Sequence, residues 1–383
     1  MNRYLYTILL FVVALFASFS LCTYAQEPHS GGRGINWSLN ISHQKDSLRT
    51  TYANMGLLTN IQAQKGVGLN LVSSIVRQEM RGVQIAGVMN YTGREACGMQ
   101  IGGLSNIARY DMDGLMIGGL MNSCGGTFRG AQMSLLCNVG VDIRGVQYAL
   151  ICNIAAQQIR GVQLSGVVNI AVNTDRALQL SSLSNVCLGN MKGVQFSLGN
   201  YAENVRGAQI GMFNISTGQV DGWQIGIINH SKDTTGHKLG LVNINPRTKI
   251  QAMFFGGNTS KINAAIRFKN RLNYNILGIG THYLDLNDKF SGCLFYRTGL
   301  YMPLCRRLEL SSDLGYYHIE NFENSDVEIP ERMYSLQGRV NLEYKPWKKL
   351  AFIASTGYSM TRYYKKNKFF RKEAIVELGI VLF

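Results

Sequence analysis

The chain has 383 residues, 42 Gly against 5 Pro, 16% charged and 46% hydrophobic residues, and a formal net charge of +15. That length suggests two domains, and so much glycine with so little proline indicates short strands and turns with ample apolar surface to bury. The positive balance does not point to a nucleic-acid partner, because Lys and Arg are dispersed along the chain and a basic surface equally suits anionic lipid headgroups.

At the N-terminus Arg3 precedes an apolar run from about Tyr4 to Leu21, followed by Thr23-Tyr24-Ala25. This predicts a secretory signal peptide over 1–25, cut before Gln26. A lipoprotein signal needs a small residue before its cysteine, and Leu21 stands before Cys22, so Cys22 is expected to leave with the leader. No later stretch approaches the ~20 consecutive apolar residues of a spanning helix, so membrane insertion would have to be by β-barrel. The remaining cysteines include no C-x-x-C pair, which argues against a disulfide framework or a metal site and for buried small apolar residues. No cofactor is expected.

Residues 26–65 are expected to form an N-terminal cap with degenerate repeats around Asn54 to Asn60. From 66 to 246 one phrase then recurs every 14–16 residues. It closes on Asn90, Asn106, Asn122, Asn138, Asn153, Asn169, Asn185, Asn200, Asn214, Asn229 and Asn243. It carries Gln84, Gln100, Gln132, Gln147, Gln163, Gln179, Gln195, Gln209 and Gln224, with breaks such as Met116 for Gln. After each glutamine comes a large apolar residue (Ile85, Ile101, Ile117, Met133, Tyr148, Leu164, Leu180, Phe196, Ile210, Ile225; Leu239 in the last copy) and then Gly, Ala or Ser.

This period of two reads as strand, and 14–16 residues suffice for two short strands and two turns, one coil of a β-solenoid. Coils stacked ~4.8 Å apart place each residue over its counterpart, so residue type is preserved down a column. Equal amides in successive coils can hydrogen-bond as a ladder, a structural role for the Gln and Asn columns. The large apolar column is expected to point inward, with Val83, Val146, Val162 and Val194 beside it; the face carrying the glutamines is left open. The alternative of one very large barrel is disfavoured, because 66–246 holds only eight aromatic residues where lipid-facing strands need aromatic girdles.

Beyond Pro246 the character changes, with twenty-two Phe, Tyr and Trp between 250 and 383. The segment 247–383 divides into eight strands near 249–255, 260–268, 273–283, 291–301, 306–319, 333–344, 349–361 and 373–383, lengths that suit tilted strands crossing a bilayer. In the sixth, Tyr334, Leu336, Gly338, Val340, Leu342 and Tyr344 alternate with Ser335, Gln337, Arg339, Asn341 and Glu343, one face for lipid and one for a polar lumen. An all-β chain follows, a β-solenoid succeeded by an eight-stranded antiparallel outer-membrane β-barrel.

Short connections at Lys269-Asn270-Arg271, Met302-Pro303-Leu304-Cys305 and Lys345-Pro346-Trp347-Lys348 alternate with the longer 284–289, 319–332 and 363–372. Outer-membrane barrels keep short turns periplasmic, so both ends of the barrel, and the repeat domain before it, are expected on the periplasmic side. Eight strands enclose just enough room for side chains, so Glu309, Asp313, Arg339 and Glu343 are expected as a lumenal charge network that fills the barrel. The chain ends on Phe383 after an apolar strand, as bacterial outer-membrane proteins do, although Glu377 and Gly379 break the apolar series.

No P-loop, dinucleotide fingerprint, H-E-x-x-H or nucleophile elbow is present. His282 and His318, at the outer strand ends with Ser291 or Ser359 and Asp285 or Glu320 as partners, are the candidate residues of a lipid-modifying barrel enzyme. The favoured expectation is a non-enzymatic envelope protein whose solenoid meets another envelope protein or a glycan, anchored in outer-membrane lipid. Asp46-Ser47-Leu48 resembles the short O-glycosylation acceptor of exported Bacteroidetes proteins. On the G-V-Q phrase and the barrel pattern, the mature chain resembles Bacteroidetes-type outer-membrane proteins that join tandem surface repeats, also known from spirochaete surface lipoproteins, to a C-terminal barrel-like region. The resemblance implies an envelope or surface protein and names no catalytic residues.

Overall fold

The computed structural model describes residues 34–37, 50–270, 273–285, 289–324, 331–364 and 369–383. The expected leader and Asp46-Ser47-Leu48 lie outside the described residues. Among those described, the chain divides into two compact units, one running to Gly226 with Ser231–Lys238, the other Ile227–His230 with Leu239–Phe383.

The first unit is a parallel β-solenoid. Through most of it a residue pairs with the one 14–16 positions on: Gly82 with Gly98, Gln84 with Gln100, Asn90 with Asn106, Gln147 with Gln163. A coil is two strands and two corners, as in Met80–Ala86 and Met89–Thr92 followed by Ala96–Gly102 and Ser105–Ala108. Coiling has begun by Thr50–Ile61, which pairs in parallel with Ala63–Val76. A glycine column stands two residues before the glutamine, replaced by Ala177 in one coil. At Gly145 the φ of 150° and the Gly130 carbonyl oxygen, only 2.0 Å from where a Cβ would sit, both demand glycine.

The facing differs from expectation. The glutamines and asparagines are the buried residues, and the large apolar residues that follow the glutamines (Ile85, Ile101, Ile117, Met133, Tyr148, Leu164, Leu180, Phe196, Ile210, Ile225, Leu239) point outward, partly or largely exposed. Val83, Val146, Val162 and Val194 share that outward parity. With the glutamine facing inward, a two-residue period turns even offsets in and odd offsets out. The apolar interior column therefore stands four residues before the glutamine, at Met80, Met112, Phe128, Ile143, Ile159, Met191, Val205 and Val220. The interior narrows toward the corner, where each glycine, alanine or serine leaves room for an asparagine: a Cβ on Gly118 would stand 2.7 Å from Asn122 Oδ1.

The second unit holds a closed antiparallel barrel. Its eight long strands are Lys249–Gly257, Ile262–Lys269, Asn273–Thr281, Lys289–Pro303, Leu308–Asn324, Arg332–Tyr344, Leu350–Tyr363 and Phe369–Leu382, with a two-residue strand Leu284–Asp285 beside the fourth. Pairing of Ala252 with Leu382 joins first to last, and every neighbouring pair is antiparallel. These are the strands the alternating pattern predicts, because turns and a lipid-facing period of two are local signals. The fourth and fifth extend beyond expectation into a longer hairpin.

Candidate functional site

Three features of the surface and interior carry chemistry. In the solenoid interior, Asn122 Nδ2 donates to Asn138 Oδ1 at 2.9 Å and to the carbonyl of Met133 at 2.7 Å. The same double bond recurs from Asn90 to Asn200: Asn153, for instance, reaches Asn169 at 3.0 Å and the Leu164 carbonyl at 2.7 Å. One amide hydrogen thus extends the ladder and the other closes a corner, which a hydroxyl or a carboxylate cannot do. Asn229 makes the same pair of bonds with Asn243 and Leu239. The glutamine ladder runs from Gln132 to Gln224 with spacings of 2.7–2.9 Å. Met116 interrupts it, and its sulfur accepts from Gln132 Nε2 at 3.6 Å. These columns are structural members, closed to solvent.

Outside, the coil has two unlike corners. One is charged and amide-rich, with Arg129 bonded to Asp113 at 2.9 Å and Arg160 paired to Asp175. There Asn204 Nδ2 donates to Asn190 Oδ1 at 3.1 Å, and Asn173 Oδ1 accepts from the Asn190 backbone at 2.9 Å. A groove of about 570 Å³ opens along it, lined by Gln158, Asn173, Asp175, Asn190, Lys192, Asn204, Arg206, Gln219 and Asp221 among others. The opposite corner carries Val88, Leu104, Leu120, Leu136, Ile151, Val167, Leu183, Leu198 and Met212, all exposed.

The barrel is likewise apolar outside and charged within. Arg339 and Glu377 form a bidentate pair at 3.0 and 2.9 Å, Arg297 and Asp313 another at 2.8 and 2.6 Å, and Arg267 meets Glu343 at 2.8 Å. Glu309 is held by Lys269 and, at 3.0 Å, by Lys345. Glu309, Asp313, Arg339 and Glu343 all face the lumen, and Glu309 lies opposite Glu343 and Asp313 opposite Arg339 in register. Their ion-pair partners are nevertheless other residues, Lys269, Arg297, Glu377 and Arg267, contributed by other strands. Each partner is a charge at an inward parity; Arg297 meets Asp313 diagonally from the neighbouring strand, whereas the other three pairs join strands that are not neighbours and are brought together by barrel closure. Glu377 breaks the terminal apolar series because it faces inward, whereas Val376, Leu378 and Leu382 face out. Among these charges Phe295 stacks on Tyr317 with ring centres 4.6 Å apart and meets Phe255 edge to face, and the three rings fill the interior.

The two histidines are in unlike settings. His282 is buried beyond the end of its strand, and burial pushes its imidazole down to about 4. The Ser291 hydroxyl accepts the backbone N–H groups of His282 and Tyr283 at 3.0 and 2.8 Å. His318 faces outward, with Nδ1 at 2.8 Å from the Tyr364 hydroxyl and Nε2 at 3.9 Å from Glu320. Ser359 reaches the Glu373 carbonyl at 3.4 Å, and the Asp285 side chain lies outside the described residues. Among the described residues, neither imidazole bonds a serine hydroxyl, and no cluster of three His, Cys, Asp or Glu forms a metal-binding group. Of the cysteines, Cys124, Cys187 and Cys293 are buried as expected, whereas Cys97 and Cys305 are exposed and Cys137 and Cys152 half-buried.

No family model matches the chain, and no curated protein matches it. Among solved structures, a de novo designed transmembrane β-barrel is similar at 15% identity, covering 36% of this chain and 95% of its own, with a TM-score of 0.25. Ail, the attachment invasion locus protein of Yersinia pestis, is similar at 14% identity, covering 35% and 92%, with a TM-score of 0.21.

Proposed function

We propose that this chain is a non-enzymatic outer-membrane protein in which the barrel is the anchor and the solenoid a scaffold or binding module of the cell envelope. The observation that carries the reading is the inverted barrel. Paired arginines and carboxylates fill its lumen while Leu314, Leu378, Ile279 and Leu300 stand outside, each more than 60% exposed. Charge costs least where it is paired and hydrogen-bonded, and a belt of bare aliphatics is stable against hydrocarbon but not against water. Eight strands bring first and last ends to one rim, the rim of the short connections. That favours a periplasmic solenoid.

The amide- and charge-lined groove at the solenoid's polar corner suits a polyhydroxylated ligand, so an envelope glycan is the favoured partner over a second protein. Outer-membrane fractionation together with heat-modifiable gel migration tests the anchor, and migration unaffected by heating would remove it. Protease treatment of intact cells tests the side: cleavage within 66–246 would move the solenoid to the surface. Lipid profiles from a strain carrying His282→Ala with His318→Ala are expected to match the parent, and altered lipids would establish an enzyme. Retention of the full chain on purified envelope glycan, weakened by Asn190→Ala with Lys192→Ala, tests the partner.

A further inference from the structure

The groove at the polar corner of the solenoid is built of two rows. Gln158, Asn173, Asn190, Asn204 and Gln219 form the first, one amide to a coil. Gln158 pairs with Asn173 and Asn190 with Asn204, and the next residues along, Thr174 with Met191 and Val205 with Val220, carry the row across the remaining steps. Thr127 and Asp142 hold the corresponding place in the preceding coils, so the amides begin where the groove begins. Two residues beyond each amide stands a charge, making a second row of Arg160, Asp175, Lys192, Arg206 and Asp221. We infer that this groove takes an uncharged, linear β-linked polysaccharide of N-acetylated amino sugars, laid along the stack with one ring to each coil. The inference rests on the glycan reading above and names the class and direction of that ligand.

Spacing sets the direction of the ligand. Successive coils are about 4.8 Å apart, and within a coil the amide and the charge, two residues apart on one strand, stand about 7 Å from each other. A chitin-type chain is a flat, extended ribbon that advances by one ring over nearly the distance of one coil, so the two edges of each ring fall to the two rows. The amide row keeps bonding capacity for it. Asn173 Oδ1 accepts from the Asn190 backbone at 2.9 Å and Asn204 Oδ1 from that of Gln219 at 2.9 Å, which fixes both side chains against the wall. Glycine clears their place in the following coil, since a Cβ on Gly189 would stand 2.7 Å from Asn173 Oδ1 and one on Gly218 2.2 Å from Asn204 Oδ1. The amide nitrogens of Asn173 and Asn190 and the side chains of Gln158 and Gln219 have no partner among the described residues. An acetamido group carries the donor and acceptor that such amides match. The second row is mixed in sign and paired within itself: Arg160 and Lys192 reach Asp175 at 2.5 and 3.9 Å, and Arg206 reaches Asp221 at 3.5 Å. It offers hydrogen bonds to hydroxyls and little of the net field that a polyanion needs. A peptide fits less well, because extended peptides add to a free sheet edge and the coils of the groove are already paired to one another.

The test is calorimetric titration of the full mature chain, in a detergent without a sugar headgroup, with chito-oligosaccharides from the single sugar to the octamer. Affinity is expected to rise about threefold or more with each added ring until the five coils of the groove are filled, and to level off beyond that. Gln219→Ala with Asp221→Ala, at two exposed positions of the last coil, is expected to move the plateau to four rings and to leave chains of three rings or fewer little changed. An affinity already level at two rings, or a variant that weakens every length alike, would overturn the arrangement along the stack. So would failure of every chito-oligosaccharide to bind, or binding of dextran sulfate in their place with a steep dependence on salt. Retention on purified envelope glycan is read separately: a retained chain with no gain from oligosaccharide length removes this inference alone, and loss of both removes the glycan partner as well.

Discussion

Arg339 Nε and Nη2 hold the two carboxylate oxygens of Glu377 at 3.0 and 2.9 Å, with both side chains buried, across strands that are not neighbours in the barrel wall. Tyr317 lies under the guanidinium, 5.0 Å from its ring centre. Removing one partner would leave the other charged and unpaired inside the lumen. Glu377→Ala is therefore expected to destabilise the barrel by about 3–5 kcal/mol, and Arg339→Met with Glu377→Leu by clearly less. Denaturant unfolding of the vesicle-inserted barrel measures both; a double variant as unstable as the single one would show that the pair is not the reason.

The solenoid ladders differ in what they tolerate. Asn153 accepts from Asn138 at 3.0 Å, donates to Asn169 at 3.0 Å and closes the Leu164 corner at 2.7 Å. Asn153→Leu orphans buried groups in three places, at about 1–3 kcal/mol each before relaxation. Gln147→Met copies what the chain already carries at Met116, where a sulfur stands in as acceptor. Its cost is expected to be the smaller of the two. The comparison is read from the denaturant midpoint of the strand signal in circular dichroism, and equal midpoint shifts would refute the corner-closing role of asparagine.

Much of this architecture is written locally and some of it is not. The repeat period and the barrel strands follow from spacing and alternation, which neighbouring residues alone determine. The inward face of the solenoid does not, because both parities carry large apolar residues: Ile143 inside and Val146 and Tyr148 outside belong to one strand. The usual inference that large apolar residues point inward then favours the wrong face, and only the narrowness of the coil shows that the glutamine must be inside. The glycine that stands two places before every glutamine of the column except Gln179, where Ala177 takes its place, is a signal whose meaning needs the φ of 150° at Gly145. In the barrel, Asp313 and Arg339 are opposite in register, yet Asp313 takes the diagonal Arg297 of the neighbouring strand on its other side, and Arg339 takes Glu377 from a strand that is not its neighbour, a choice made by the curvature of the closed wall.

Cys137 and Cys152 stand in register on successive coils, and their sulfurs are 2.8 Å apart. Exposure of the folded protein to a disulfide-carrying oxidant is expected to join them by thiol–disulfide exchange, the oxidant leaving as its reduced dithiol. Closing a loop of about 15 residues would stabilise the solenoid by about 3 kcal/mol. Peptide mapping under non-reducing conditions identifies the bridge, and Cys152→Ser is expected to abolish both the bridge and the gain. Recovery of both thiols unmodified after oxidation would contradict the register.

His282 gives the protein an acid sensitivity of predictable sign. Burial is the main cause of its lowered imidazole, a backbone hydrogen bond at Thr259 opposes it, and Arg371 and Lys261 depress it further, to about 4 from an ordinary 6.5. Above the ordinary value the ring is neutral in both folded and unfolded chains and makes no pH-dependent difference. As pH falls from 6.5 toward 4 the unfolded chain takes up a proton that the folded one refuses, so this contribution to stability is lost across that window. His282→Gln, which keeps a polar side chain of comparable reach without the titration, is expected to flatten the decline specifically there. Unfolding midpoints of parent and variant, measured in steps from about pH 7 to about pH 4, give the comparison. Parallel curves would mean that the imidazole is hydrated and titrates normally.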